Sequence, residues 1–280
     1  MSELIQLDLK GILRKRIKGW KGRLIPGFLI GALERIIHQD DLNETLRVCY
    51  PERDSGFATR MLEHLGIRFT VTGLENIPTD GHYVLASNHP LGGLDGVAVV
   101  SALGRHFGDE HLRVPVNDML MNIEPLTGVF LPINKYGSQA RAAARGLAEA
   151  FADPDKQIVM FPAGLVSRLH DDGGIRDLQW QKMFVTKALE TGRQVVPVFF
   201  DGLNTPRFYK TARLRKKSGL KINIEQALLP SELFRARGAC FGLHIGRPVD
   251  VAALRASGRS IPEIVAHIRS LSDALNPHGC

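Results

Sequence analysis

The sequence predicts an α/β protein with a mostly parallel sheet flanked by helices. Short apolar runs such as 83–86 and 194–200 alternate with stretches of helical periodicity such as 54–65, and this alternation is typical of parallel sheets. The 280 residues are 44% hydrophobic and 23% charged, which is the composition of a globular protein. We see no internal repeat and no linker. A chain of this length could form one large domain or two small ones, and one domain with an N-terminal helical extension is the simplest interpretation.

The elements follow one another in a regular order. A helix over 54–65, with Asp54 as candidate N-cap and Gly66 as its end, precedes a strand over 67–71. The further predicted strands are 83–86, 112–116, 129–133, 157–161 and 194–200. The further predicted helices begin at Asp95, at Ser138 (138–151, capped by Ser138) and at Leu178 (178–191, ended by Gly192).

The most informative stretch is the loop after the second strand. The strand over 83–86 stops at Asn88-His89-Pro90, because a proline disfavours helical backbone at the preceding residue. A helix then begins near Asp95, so an imidazole and a carboxylate lie close together. This pair indicates a general base, His89, oriented by Asp95. The alternative is that Asp95 only caps the helix and that His89 is an ordinary loop histidine.

Charge and cysteine content narrow the choice of partners. The formal net charge is +7 and the pI is about 9.5, which favours an anionic partner such as a lipid surface, a phosphorylated substrate or nucleic acid. Three scattered cysteines without a C-x-x-C pair predict neither a disulfide framework nor a zinc site, and favour a reducing compartment. We see no secretory signal and no run of about 20 apolar residues, so we expect a protein that is soluble or lies on a membrane.

The N-terminal segment is basic and amphipathic. Residues 1–50 are predicted to form an extension of short amphipathic helices before an enzymatic domain over 51–280. Apolar side chains stand between the cations, a pattern suited to an anionic bilayer surface. The alternative is a solvated helix face packed on the core; nucleic acid is disfavoured because no recognised fold signature accompanies the charge. The candidate membrane-binding residues are Lys10, Arg14, Lys15, Arg16, Lys18, Trp20, Lys21 and Arg23. A second basic stretch covers 207–221. Its alternative interpretations are a contact with a lipid surface, a cover over the rim of the site and a solvated loop.

Polar and glycine-rich residues follow three of the predicted strands. In parallel sheets, ligands bind where strands end. The third exit, Phe161-Pro162-Ala163-Gly164 through Ser167 and Arg168, has the pattern of an anion-binding turn. The candidate substrate-binding residues at the three exits are Asn88, Asn134, Lys135, Phe161, Pro162, Gly164, Ser167 and Arg168.

Together these exits resemble the glycerol-phosphate and lysophosphatidate acyltransferase family. That family carries four ordered blocks, N-H-x-x-x-x-D, G-x-x-F-I-x-R, F-P-E-G-T-R-S and V-P-V. The matching stretches here are Asn88 to Asp95, Gly128 to Asn134, Phe161 to Arg168 and Val195 to Val198. The resemblance covers roughly residues 70–200 and implies an acyltransferase in which His89 and Asp95 are catalytic.

The departures from this pattern bear on the acceptor. One extra residue separates His89 from Asp95. The arginine of the second block is replaced by Asn134, and the glutamate of the third block is replaced by Ala163. In the family, the basic residues are thought to hold the acceptor phosphate. The variants found here are similar to a bacterial, hemolysin-related subgroup implicated in O-acylating N-acyl amino acid lipids of the ornithine or glycine type.

We therefore expect a peripheral membrane enzyme that moves a fatty acyl group from acyl-CoA or acyl carrier protein to the hydroxyl of a lyso-lipid. The resemblance implies no cofactor beyond the acyl donor and no metal, and it places the enzyme at the cytoplasmic face of the inner membrane. The alternatives are acylation of 1-acyl-glycerol-3-phosphate and, from another class, a non-catalytic lipid-binding protein on the same fold.

The basic N-terminal segment generates a first prediction. Replacing Lys10, Arg14, Lys15, Arg16 and Lys18 by glutamine should weaken sedimentation with anionic vesicles, by roughly 1 kcal/mol per basic residue near the surface. Added salt should weaken binding of the unchanged protein in the same way. Vesicle binding undiminished by these substitutions would assign the segment to the core instead.

Overall fold

A seven-stranded sheet forms the centre of the computed structural model, which describes residues 27–133, 139–219 and 224–278. The strand order is β1-β9-β8-β2-β5-β3-β4, so β2 is the central strand. Every neighbouring pair is parallel except β8 and β9, which are antiparallel. The strands are β1 Arg68–Thr72, β2 Tyr83–Ser87, β3 Leu112–Asn117, β4 Phe130–Ile133, β5 Gln157–Met160, β8 Gln194–Asp201 and β9 Cys240–Ile245. A separate hairpin pairs β6 Arg168–Leu169 with β7 Ile175–Arg176.

Helices cover both faces of the sheet. They are α1 Gly27–Ile36, α2 Gln39–Cys49, α3 Asp54–His64, α4 Gly93–Phe107, α5 Gln139–Ala152, α6 Met183–Thr191, α7 Pro206–Lys217, α8 Leu229–Arg235, α9 Val251–Ala256 and α10 Ile261–Asp273. No helix in the described ranges has both the length and the apolar content needed to cross a bilayer.

The two faces follow from the alternation of side chains along the strands. In β2, Tyr83 and Leu85 belong to one core layer, which includes residues of α2, α3, α4 and α8. Val84 and Ala86 belong to the other layer, which includes residues of α5, α6, α9 and α10. All five residues of β2 are buried. Truncating Leu85 to alanine should therefore cost about 2–5 kcal/mol of stability.

The α/β architecture and its mostly parallel sheet are confirmed, and each predicted strand is present to within one or two residues. Gly192 adopts a left-handed conformation after α6, as expected for a C-cap. Ser138 lies outside the described residues, and so does the predicted membrane segment 10–23. The predicted division at residue 50 stays a prediction, although Leu46 and Cys49 of α2 pack in the main core layer.

One predicted helix start and one predicted helix cap were wrong. The helix predicted from Leu178 begins at Met183, because the preceding backbone is used in tertiary hydrogen bonds. The N–H of Gln181 donates to the carbonyl of Pro162 at 2.9 Å, and the Arg269 guanidinium binds the Leu178 carbonyl at 3.2 Å. Asp54 is not the cap of α3 but its first residue, and its carboxylate accepts a 3.1 Å hydrogen bond from the N–H of Val129.

The topology sets the position of the site. Strands β5, β2 and β8 are parallel neighbours, so their carboxyl ends meet at one edge of the sheet. The segment after β2 carries His89, the segment after β5 begins with Phe161, and the segment after β8 leads into α7. Three segments that are remote in the chain are therefore adjacent at this edge.

Candidate active site

His89 lies two residues beyond the end of β2, and its ring is held by Asp95. The distance from His89 Nδ1 to Asp95 Oδ2 is 3.1 Å. Because a carboxylate only accepts hydrogen bonds, the hydrogen lies on Nδ1 and the neutral ring has its lone pair on Nε2. The His89 side chain is 19% exposed, so the ring is sheltered but reachable. This is the arrangement of a general base with its orienting carboxylate.

Asp95 is fully buried in the first turn of α4, where four hydrogen-bond donors converge on its carboxylate. Besides the imidazole, Oδ2 accepts from the backbone N–H groups of Leu91 at 3.0 Å and Gly92 at 3.2 Å. Oδ1 accepts from the N–H of Gly96 at 2.8 Å. The positive end of the helix also favours a negative charge at this position. Asp95 therefore both caps the helix and orients the imidazole.

Gly92 lets the loop fold over this carboxylate. Its φ of +80° lies in a region that other residues seldom adopt. A Cβ at this position would come within 3.0 Å of Leu229 and Val166. The extra residue between His89 and Asp95 is thus accommodated by a backbone turn that requires glycine.

Asn88 fastens the exit of β2 to the neighbouring strand β8. Its amide nitrogen donates to the carbonyl of Phe200 at 2.9 Å, and its amide oxygen accepts from the N–H of the same residue at 2.6 Å. A second asparagine, Asn204, donates to the carbonyl of Pro90 at 3.0 Å. These bonds within the protein make Asn88 a positioning residue rather than an evident substrate ligand.

The loop over 161–167 touches His89 at both of its ends. The Phe161 ring lies 4.3 Å from the imidazole, centroid to centroid, and the Ser167 N–H donates to the His89 carbonyl at 2.8 Å. Pro162 is buried, and the N–H of Gly164 closes a turn on the Phe161 carbonyl at 2.9 Å. Gly164 itself is exposed, and a Cβ there would meet open space. Of the predicted binding residues in this loop, Phe161 thus contacts the His89 ring and Gly164 is exposed.

Asp177 is a further member of the site, and the sequence analysis missed it. It is 5% exposed, and its carboxylate accepts from the Ser167 hydroxyl at 2.6 Å and the Trp180 indole N–H at 2.9 Å. It also accepts from the backbone N–H of His89 at 3.2 Å. Thus one carboxylate holds the ring of His89 and another holds its main chain.

The β6–β7 hairpin explains why Asp177 meets Ser167. Arg168 pairs with Arg176 in antiparallel register, which places Ser167 and Asp177 opposite each other one step further along. The Arg269 guanidinium then fixes the segment by donating to the Asp177 carbonyl at 2.9 Å. The sequence shows only an aspartate three residues before a tryptophan, which is a weak signal.

The pKa of His89 is raised above its ordinary value of 6.5. Burial of the ring is the largest single effect and disfavours the imidazolium, while the charge of Asp95 and its hydrogen bond favour it, and the net pKa shift is upward. The charge of Asp177 adds to this effect, and Arg168 opposes it. The site therefore stabilises the protonated imidazole that forms when His89 accepts a proton.

Arg168, predicted to bind an anion of the substrate, is already paired within the protein. One of its terminal nitrogens lies 2.9 Å from Glu225 Oε1, and its guanidinium lies over the Phe208 ring. Glu225 is fully buried and also pairs with Arg215 at 2.9 Å. Burial lowers the pKa of Arg168 from its ordinary value, against the opposing effect of Glu225. The charge of Arg168 is thus met by a carboxylate of the same chain.

The remaining predicted residues lie outside the described ranges. Asn134 and Lys135 fall between β4 and α5, and the candidate membrane residues fall in the N-terminal segment. In the part of the chain that the structure describes, no group of three His, Cys, Asp or Glu side chains is placed to hold a metal ion. Among the described residues, those of the first and third exits lie together at one site.

Comparison with known families gives a match over most of the chain. A family model described as Acyltransferase matches residues 16–276. Among solved structures, the crystal structure of the 1-acyl-sn-glycerophosphate (LPA) acyltransferase from Thermotoga maritima is similar at a TM-score of 0.45. It has 17% sequence identity, and the similarity covers 89% of this chain and 91% of that chain.

Two bacterial relatives are much more similar in sequence, and both are named lyso-glycine lipid O-acyltransferase. The one from Phocaeicola vulgatus is 42% identical over 248 residues, which is 89% of this chain and 88% of the relative. The one from Bacteroides thetaiotaomicron is 41% identical over 249 residues, which is 89% of this chain and 90% of the relative.

The site generates a prediction about the pKa of His89. Asp177→Asn removes a negative charge that raises this pKa, so the pKa should fall; Asp95→Asn should lower it further, because Asp95 has the larger effect. Histidine NMR titration measures the change, with His89→Gln identifying the signal. Asp172→Asn is the matched control, since this carboxylate is exposed and pairs with Arg176 on the hairpin. An unchanged titration in Asp177→Asn would contradict the electrostatic role of Asp177.

Proposed function

The chain belongs to the acyltransferase family, and we propose that it O-acylates a lyso-lipid with an N-acyl amino acid headgroup of the glycine or ornithine type. The observation that carries the chemistry is the His89–Asp95 pair, with Nδ1 held at 3.1 Å and Nε2 left for the substrate. The names of the two relatives support the class of acceptor. The acyl donor is a thioester of coenzyme A or of acyl carrier protein.

The reaction follows from the state of the imidazole. Nε2 of His89 takes the proton of the acceptor hydroxyl while the oxygen attacks the thioester carbonyl carbon. The charge of Asp95 stabilises the imidazolium that results. When the tetrahedral intermediate collapses, the carbon–sulfur bond breaks and the thiolate takes the proton from Nε2. No acyl-enzyme forms, and His89 returns to its neutral state.

The surrounding residues position the base and leave room for the substrate. Phe161 supports the ring, while Asn88 and Asp177 hold the main chain of the loop. Gly164, which is exposed and carries no side chain, leaves space for the reacting groups to approach. We place Asn134 and Lys135, from the second exit, on the side of the acceptor headgroup.

The state of Arg168 favours an amino acid headgroup over a phosphate. A phosphate monoester is best bound by a guanidinium with free donors, whereas Arg168 is engaged by Glu225 at 2.9 Å. A single carboxylate or a zwitterion needs less positive charge. Acylation of 1-acyl-glycerol-3-phosphate is therefore the second candidate. A non-catalytic lipid-binding protein is set aside, because the family is one of enzymes and both His89 and Asp95 are present.

Because its substrate is a lipid, we place the enzyme peripherally on a membrane. Both classes of thioester donor are carried in the cytoplasm, so the cytoplasmic face of the inner membrane is the proposed location. The basic N-terminal segment is the proposed contact with anionic lipid, as its charge and apolar residues favour.

Removing the base tests the mechanism. His89→Ala should lower kcat/KM by between about 10² and 10⁴, because a positioned base contributes that much. The circular dichroism spectrum should stay unchanged. Purified His89→Ala enzyme with full activity would refute the proposed role of His89.

The dependence on pH supplies a second test of the same mechanism. A base must be neutral, so activity should rise as the pH passes the pKa of His89, which lies above 6.5. In Asp95→Asn, this acid limb should move to lower pH and the plateau should fall severely. Asp172→Asn should leave both unchanged. An acid limb that stays in place in Asp95→Asn would show that another group controls it.

Competition between acceptors tests the substrate. With a lyso-glycine lipid and lysophosphatidate in one assay, the ratio of products gives the ratio of kcat/KM directly. We expect the lyso-glycine lipid to be acylated faster. A clear preference for lysophosphatidate would overturn the acceptor assignment but not the acyltransferase chemistry.

A further inference from the structure

Helix α7 has one face that is both basic and apolar, and the proposed mechanism does not use it. Arg207, Lys210, Leu214 and Lys217 recur at the spacing of a single helical stripe, and all four are exposed. The Leu214 side chain at the centre of this stripe is 68% exposed. The helix contains no acidic residue. We call these four residues the α7 face.

The opposite side of the same helix is buried against the active-site loop. Phe208 and Tyr209 pack with Val166, which directly precedes Ser167. The Arg168 guanidinium lies over the Phe208 ring, 5.4 Å from its centroid. The orientation of the α7 face is therefore fixed by the loop that contacts His89.

The start of the helix is fixed to the catalytic loop as well. Strands β2 and β8 are parallel, with Ser87 beside Val198, so α7 begins at the edge of the sheet where His89 lies. Asn204, just before the helix, donates to the carbonyl of Pro90. Its neighbour Leu203 is 61% exposed and lines a cavity of about 220 Å³ together with Leu91, two residues from His89.

We propose that the α7 face docks on an anionic lipid bilayer and holds the mouth of the active site against the lipid that carries the substrate. This inference rests on the proposed function, because it takes the acceptor to be a lipid. Charge complementarity selects the partner: cations around an exposed leucine suit a surface that is anionic outside and apolar beneath. The long stems of lysine and arginine can lie along apolar material while their charges stay in the polar layer. Leu203 and Leu214 enter the interface in this arrangement.

Insertion of a local probe tests the docking directly. Leu214→Trp should give fluorescence that is quenched by brominated lipid in vesicles of phosphatidylglycerol and phosphatidylcholine. The matched control is Ala252→Trp on α9, also exposed. That helix lies at the opposite edge of the sheet, because Val249 pairs with Val195 near the start of β8. Quenching no greater for the Leu214→Trp protein than for the control would overturn the proposal.

Charge removal tests the electrostatic part. The triple variant R207Q, K210Q and K217Q should lower the partition coefficient on these vesicles by about 100-fold, at about fivefold per basic residue near an anionic surface. Its control removes the same charge at the opposite edge, through Arg247, Arg255 and Arg259, which are also exposed, each changed to glutamine. The control should bind within about threefold of the unchanged protein. Equal losses in both variants would overturn the proposal.

The two readouts separate this inference from the proposed reaction. Binding is measured without acyl donor or acceptor, so it does not depend on catalysis, and His89→Ala protein should bind as well as the unchanged protein. An acidic acyl carrier protein is the competing occupant of the α7 face. If the triple variant kept its vesicle binding but raised the KM for acyl carrier protein, the face would belong to that protein partner and the bilayer proposal would be wrong.

Discussion

The buried carboxylate of Asp95 is the constraint on which the candidate active site depends. A carboxylate with no exposure must be surrounded by donors, since an unpaired buried charge is costly. Three backbone N–H groups and the His89 imidazole meet this need. The loop over 89–92 therefore has to fold back over the start of α4, which is possible because Gly92 adopts a positive φ. The same hydrogen bonds stabilise the loop and orient the His89 imidazole.

A second buried carboxylate extends this control from the side chain of His89 to its backbone. Asp177 comes from the end of a hairpin, and it holds Ser167 and His89 at the same time. Because both carboxylates lie near the ring, they outweigh the effect of burial and raise the pKa of His89. The imidazole of His89 is thus more basic than that of a free histidine, although it is sheltered from water. The same two residues that fix its geometry also set its basicity.

The ionic cluster around Glu225 has a different consequence. Removing one member of a buried ion pair leaves the other charge unmet, so loss of Arg168 or Arg215 would leave the buried Glu225 carboxylate with one cation fewer. Arg168 stands in the block that resembles a phosphate-binding motif, yet its charge supports α7 and its neighbouring turn.

The sequence by itself determined the sheet and the His89–Asp95 pair. Both are local: strands follow from short apolar runs, and His89 and Asp95 are six positions apart in the chain, so one turn is enough to join them. The tertiary structure decided the hydrogen-bond partners of Asp177, Asn88 and Arg168. Their partners are 88, 112 and 57 residues away in the chain, and a pairing across that distance depends on strand order and hairpin register. The start of α6 was decided in the same way, because the backbone before it is held by Pro162 and Arg269. Local patterns determine elements, whereas contacts between distant elements decide what each polar side chain can still bind.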